Sequence, residues 1–138
     1  MKITRRQLLK TVSFSALVIG ISPRVAFSAP NSLKSIRTGV QPGGKTRLVI
    51  ETTNRPSYNL SYGEKQLFVN LSNTNGKSDV NTKLATGTLI SRITQIQDET
   101  TLQISATLTG AIDAIEKNQI MILEPNGDND YRLVLDFD

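Results

Sequence analysis

The sequence has no cysteine, no histidine and no tryptophan among its 138 residues. Thiol nucleophiles, Ser-His-Asp triads and the usual zinc sites all require cysteine or histidine, so these classes of chemistry are excluded. Disulfides are excluded as well, so the hydrophobic core alone must hold the fold. Carboxylate chemistry, such as calcium binding or glycoside hydrolysis, is the class that stays formally open.

Long apolar runs are also lacking. The apolar run at residues 12–21 is interrupted only by Ser13, Ser15 and Gly20, and it is about half as long as a bilayer-spanning helix. Basic residues precede it, and Pro23 and Arg24 end it. This is the pattern of a signal peptide over residues 1–28, and it predicts no permanent membrane anchor.

The leader also carries an export motif. Residues 4–10, Thr-Arg-Arg-Gln-Leu-Leu-Lys, resemble the twin-arginine signal, with Arg5 and Arg6 as the arginine pair. Adjacent arginines also arise by chance in basic leaders, which is the alternative. Small residues favour cleavage between Ser28 and Ala29, so we expect a periplasmic protein exported by the twin-arginine route.

Charge is distributed unevenly between the leader and the rest. The whole chain has 16 basic and 12 acidic residues, and five of the basic ones lie in residues 1–28. The remaining chain therefore carries 11 basic and 12 acidic residues, a net charge of about −1 instead of +4. This balance argues against nucleic-acid or anionic-membrane partners.

Apolar residues after the leader recur with a period of two, which predicts strands with one buried face. No stretch shows convincing helical spacing. We predict an all-β sandwich of two roughly four-stranded sheets over residues 36–138, preceded by a flexible segment at residues 29–35. The clearest alternating sets are Leu48, Ile50 and Thr52; Leu67, Val69 and Leu71; Leu102, Ile104, Ala106 and Leu108; and Leu133, Leu135 and Phe137.

The two halves of this region look related. A shift of 54 residues places Leu48 on Leu102, Ile50 on Ile104 and Ile36 on Ile90, and after a one-residue deletion residues 66–69 fall on residues 119–122. Alternating strands also match by chance. A true duplication predicts two pseudo-symmetric sheets that share a core.

Three acidic residues near the C-terminus suggest a calcium site at first sight. Glu124, Asp128 and Asp130 supply oxygen ligands, but the EF-hand spacing is not met. We interpret the segment as a solvated hairpin turn and predict no metal and no cofactor. A carboxylate-only glycosidase would need a cleft, which a small sandwich does not obviously offer.

Two strands carry the same charge pattern. Residues 47–51 and 132–136 each place a cation, an apolar residue and an anion on one strand face. Such a face makes cross-strand charge pairs, and we favour this structural role. The alternative is that a guanidinium on this face binds a ligand carboxylate. Tyr62, beside cations, is a further candidate for contacting a ligand.

The combined pattern resembles the AMIN domain, which precedes periplasmic N-acetylmuramoyl-L-alanine amidases. The resemblance covers residues 33–138 and is carried by residues 36–39, 45–51 and 66–71, with Tyr58. It implies a two-sheet sandwich, affinity for peptidoglycan and recruitment to the division septum. Arg37 and Arg47 match the family's characteristic arginines. The zinc-binding amidase portion is missing, so the resemblance predicts no enzyme activity.

Two functions therefore remain as hypotheses. The first is a peptidoglycan-binding module that uses Arg37, Arg47 and Tyr62 on a shallow sheet face, with weak and salt-sensitive binding. The alternative is a protein-interaction domain that recruits or regulates an envelope amidase, a pilus secretin or a divisome protein.

Overall fold

Strands dominate the computed structural model, which describes residues 30–138. The predicted signal peptide at residues 1–28, its Arg5 and Arg6 pair and the cleavage site between Ser28 and Ala29 lie outside the described residues. No helix in residues 30–138 is long and apolar enough to cross a membrane. The strands are β1 Asn31–Val40, β2 Thr46–Thr52, β3 Tyr58–Gly63, β4 Gln66–Leu71, β5 Thr74–Asn75, β6 Asn81–Lys83, β7 Ile90–Asp98, β8 Thr101–Leu108, β9 Ile120–Leu123 and β10 Tyr131–Phe137, with a 3-10 helix at Lys117–Gln119.

The strands form two sheets, which confirms the all-β sandwich. The larger sheet has the order β5-β1-β2-β10-β9, with β6 also paired to β1, and the smaller one has the order β3-β4-β8-β7. Four antiparallel strands make up most of the larger sheet. The two others, β5 and β6, are two and three residues long and run parallel to β1. The larger sheet thus has two short strands more than expected.

The core lies between the two sheets and follows the predicted alternation. Leu48, Ile50 and Leu135 from the larger sheet and Leu102 and Ile104 from the smaller one are all fully buried. Each such side chain contributes about 1.5–3 kcal/mol by leaving water. Because the alternating residues face inward, every second residue of the same strands points outward. Some of these outward side chains are nevertheless covered, such as Glu51 at 8% and Val134 at 2% exposed.

The predicted flexible start is wrong for residues 31–35. These residues belong to β1, where Leu33 is only 2% exposed and joins the core. A register shift between Leu33 and Ser35 places Leu33 and Ile36 in the same core although they are three residues apart. Such a bulge breaks the period of two, so the strand does not show up in the pattern.

The strand topology is consistent with two related halves, but the strand pairing does not match the residue alignment that the 54-residue shift predicts. Hairpin β1-β2 continues into β10, and hairpin β7-β8 continues into β4. Each sheet therefore combines strands from both halves. However, Ile36 pairs with Ile50 whereas Ile90 pairs with Leu108, and β4 corresponds by position to β10, not to β9. Alternating strands match at many shifts, so the sequence leaves the register undetermined.

Candidate functional site

The outward side of the larger sheet carries most of the predicted site residues, and we call it the charged face. Arg47 and Glu51 of β2 lie opposite Asp136 and Arg132 of β10. The two predicted charge repeats therefore run antiparallel, so that each cation faces an anion across the strands. The face comprises Ser35, Arg37, Arg47, Val49, Glu51, Lys83, Met121, Leu123, Arg132, Val134 and Asp136.

Arg47 is held in a bidentate ion pair. Its Nε and Nη2 each donate to an oxygen of Asp136 at 2.7 Å. This hydrogen bonding lowers the pKa of the Asp136 carboxyl and raises the pKa of Arg47. The predicted structural role of the charge repeat is thus present in the geometry. A ligand carboxylate would have to displace Asp136 to use the guanidinium of Arg47 in the same way.

Glu51 is the most buried charge on this face. It is 8% exposed and accepts hydrogen bonds from the backbone N–H of Asp130 at 2.7 Å and from Ser35 Oγ at 3.1 Å. Burial raises the pKa of Glu51, but these hydrogen bonds and the nearby cations outweigh burial, and the net shift is downward. Glu51 is therefore a fixed anion that organises the surrounding side chains.

Arg37 is held more loosely than Arg47. Its Nη1 lies 3.3 Å from Ser35 Oγ and 3.5 Å from Glu51 Oε1, and 39% of its side chain is exposed. Lys83 of β6 pairs with Arg37 in parallel register, so the two cations lie side by side. Most N–H donors of this pair face solvent and are available to an anion.

Lys83 and Arg37 lie in a row that crosses the larger sheet, and Val49, Val134 and Met121 continue this row as an apolar strip. Arg37 lies opposite Val49, Val49 opposite Val134, and Val134 opposite Met121. Met121 is 39% exposed. With a strand spacing of about 4.8 Å, the line from Lys83 to Met121 spans roughly 20 Å. Val134 is only 2% exposed, so the apolar surface open to a ligand comes from Val49, beside Arg37, and from Met121 at the far end.

Sequence reasoning missed Lys83, Val134 and Met121 as members of this site. Lys83 lies on a three-residue strand that pairs with β1 more than forty residues away in sequence. A strand this short carries no periodic signal, and its parallel pairing is set by tertiary structure. The repeated pattern at residues 132–136 was the available signal for Val134.

Tyr62 is not part of the charged face. It lies on β3 of the smaller sheet, and its hydroxyl accepts a hydrogen bond from the backbone N–H of Ile115 at 2.9 Å. The three predicted binding residues therefore do not converge, since Arg37 and Arg47 share one sheet and Tyr62 lies on the other. The hydroxyl of Tyr62 anchors the segment between β8 and β9.

We expect Tyr62→Phe to lower the free energy of unfolding by about 0.5–1.5 kcal/mol, the usual net contribution of one hydrogen bond. The ring remains, and only the bond to Ile115 is lost. Urea unfolding followed by circular dichroism measures the change. Binding to cell-wall material should be unaffected, and a loss of binding without a loss of stability would instead place Tyr62 in the ligand site.

Two of the three acidic residues considered for calcium form ion pairs. Glu124 accepts from Arg55 at 2.8 Å, and Asp130 accepts from Lys34 at 2.7 Å. Within residues 30–138, no three acidic side chains are grouped in a way that could hold a metal ion. Asn126 and Asn129 form an isolated bridge that closes the turn before β10.

No protein-family model matches the chain, and the search of the curated proteins finds no match. The resemblance to the AMIN domain therefore stays a prediction.

Proposed function

We propose that the chain is a non-catalytic cell-envelope module that binds peptidoglycan through its charged face. The observation that carries the proposal is the Lys83 and Arg37 pair beside the apolar strip. Peptidoglycan presents peptide carboxylates next to sugar rings and alanine side chains. An open cationic pair next to apolar surface complements that combination, and the predicted periplasmic location would bring the two together.

The ligand carboxylate would bind at Arg37 and Lys83, not at Arg47. The Nε–Nη2 side of the Arg47 guanidinium is occupied by Asp136, whereas the contacts of Arg37 within residues 30–138 are long, at 3.3 and 3.5 Å. Because the cationic pair is exposed, water and salt compete for it, and its affinity should be modest. Several such modules on one wall polymer would bind more firmly through multivalency.

We expect the Arg37→Ala/Lys83→Ala variant to bind isolated peptidoglycan sacculi about tenfold more weakly than the unchanged chain, a loss of ~1.4 kcal/mol. Co-sedimentation at a series of salt concentrations measures this. Binding of the unchanged chain should weaken as salt increases, because screening acts mainly on exposed charges. The double variant should show a flatter salt dependence.

The matched control is Lys77→Ala/Lys117→Ala, which also removes two positive charges, at exposed positions outside the charged face. It should sediment like the unchanged chain. Equal sedimentation of the two double variants would contradict the proposal, as would binding that does not respond to salt. Circular dichroism confirms that each variant is folded.

One observation favours the alternative of a protein-interaction domain. Strand β9, with the sequence Ile-Met-Ile-Leu, is at the edge of the larger sheet and, among residues 30–138, pairs only with β10. A free apolar edge can accept a strand from another protein. An envelope protein that binds the chain in the absence of wall material, and loses binding when Met121 becomes lysine, would support this function over the first.

A further inference from the structure

The outward side of the smaller sheet differs chemically from the charged face, and we call it the amide face. Its central rows contain no ionisable side chain. One row runs Asn59, Asn70, Gln103 and Ile96 across β3, β4, β8 and β7, and the next runs Ser61, Phe68, Ser105 and Thr94. The charged residues Arg92 and Asp98 lie on β7, which is an edge strand of this sheet.

The amides of this face are ordered by hydrogen bonds to one another. Gln103 Nε2 donates to Asn70 Oδ1 at 3.0 Å, and Asn70 Nδ2 donates to Asn59 Oδ1 at 3.0 Å and to Ser61 Oγ at 3.4 Å. The network crosses three strands and fixes each amide plane. Within residues 30–138, Gln103 Oε1 is left as an acceptor and Asn59 Nδ2 as a donor. This part of the surface therefore offers oriented hydrogen-bonding groups without charge.

An aromatic ring lies in the middle of these amides. Phe68 is half-buried and is flanked by Ser61 and Ser105 across the strands. A Cβ atom at Gly63 would lie 3.4 Å from Phe68 Cε2. Gly63 has no left-handed backbone angle that demands glycine. A side chain at position 63 would therefore cover the Cε2–Cζ edge of the Phe68 ring, and glycine does not.

We infer that the amide face binds a neutral polysaccharide strand that carries acetamido groups. An acetamido group has one N–H donor and one carbonyl acceptor, which complement the open acceptor of Gln103 and the open donor of Asn59. The apolar face of a sugar ring fits a partly exposed aromatic ring such as that of Phe68. A neutral ligand also suits a surface without charge, since no ion has to be desolvated without a partner.

This inference deepens the proposed function and rests on it for the source of the glycan. In that picture the charged face contacts peptide carboxylates and the amide face contacts the glycan chain. The two contacts differ in salt response, because only the first depends on exposed charges. The two sites can therefore be tested separately.

The experiment is calorimetric titration of the purified full chain with a β-1,4-linked N-acetylglucosamine tetramer, a probe that has no peptide and no charge. We expect binding that does not change when salt is raised to about 1 M, where exposed charges are screened within about 3 Å. A glucose tetramer with the same linkage should bind more weakly, because it lacks the acetamido groups.

Three variants locate the site. Phe68→Ala removes the ring, Gln103→Ala breaks the amide network, and Gly63→Leu leaves both in place but covers the ring. Each should weaken binding of the tetramer about tenfold. Asn118→Ala, an exposed amide elsewhere, and Arg37→Ala/Lys83→Ala should bind the tetramer like the unchanged chain. Thermal unfolding confirms that the variants are folded, and the exposed position of Gly63 makes its variant the least disruptive.

Absence of tetramer binding by the unchanged chain would overturn the inference. It would also be overturned if the folded Gly63→Leu and Phe68→Ala variants bound the tetramer as tightly as the unchanged chain. In either case, sacculus binding that still depends on Arg37 and Lys83 would leave the proposed function standing. Conversely, tetramer binding at the amide face together with salt-independent sacculus binding would support the inference while contradicting the charged-face proposal.

Discussion

Replacing Leu33 by alanine is expected to lower the free energy of unfolding by about 2–5 kcal/mol, the range for truncating a buried leucine. The side chain is 2% exposed and packs in the core with Ile36 and Ile50. Removing it leaves a cavity that the surrounding strands can fill only in part. This loss is a large fraction of the stability of a small domain.

Urea unfolding of the Leu33→Ala variant, with Leu84→Ala as the control, measures the change in unfolding free energy. Leu84 is 41% exposed, and its truncation should change the stability by no more than about 0.5 kcal/mol. The comparison matters because residues 29–35 have the composition of a flexible segment. If Leu33→Ala were as mild as Leu84→Ala, the N-terminal part of β1 would not be packed in the core.

Acidification is expected to destabilise the fold through Glu51 and Asp136. The pKa of each is lowered in the folded chain from ordinary values of 4.5 and 3.8. For Asp136 the main cause is the hydrogen bonding from Arg47. For Glu51, burial acts in the opposite direction, and the hydrogen bonds from Asp130 and Ser35 with the nearby cations prevail.

The sign of the effect follows from these downward shifts. A carboxylate whose pKa is lower in the folded than in the unfolded state contributes its full stabilisation above the unfolded value. That contribution is lost as the pH falls through the folded value. Stability from Glu51 and Asp136 should therefore be complete at neutral pH and decline progressively below 4.5 and 3.8, respectively.

The Glu51→Gln/Asp136→Asn variant tests this assignment. At neutral pH it should lose about 1–3 kcal/mol of unfolding free energy, since it replaces hydrogen bonds to charged acceptors by weaker ones. Its stability should also depend less on pH in the acidic range. The control Glu64→Gln/Asp128→Asn, at two exposed positions, should keep the original profile. If the unfolding free energy of the variant decreased with falling pH as steeply as that of the unchanged chain, Glu51 and Asp136 would be excluded as the cause.

The charged face shows which features of the site the sequence pattern predicts and which it does not. The repeated cation-apolar-anion pattern predicts cross-strand charge pairs, and the Arg47 and Asp136 pair has that geometry. The same pattern does not tell which arginine is held more loosely. The distinction between Arg47 and Arg37 depends on which carboxylate lies opposite each guanidinium, and that is set by the register of three strands.

The sequence by itself determined the strand class, the identity of most core residues and the exclusion of thiol, histidine and zinc chemistry. These properties follow from composition and from a period of two, which are local quantities. The tertiary structure decided that Leu33 joins the core, that Lys83 lies beside Arg37 and that Tyr62 is separated from both. Each of these depends on a bulge or on pairing between distant segments. Because strand pairing joins residues far apart in the chain, the composition of each face emerges only when the register is fixed.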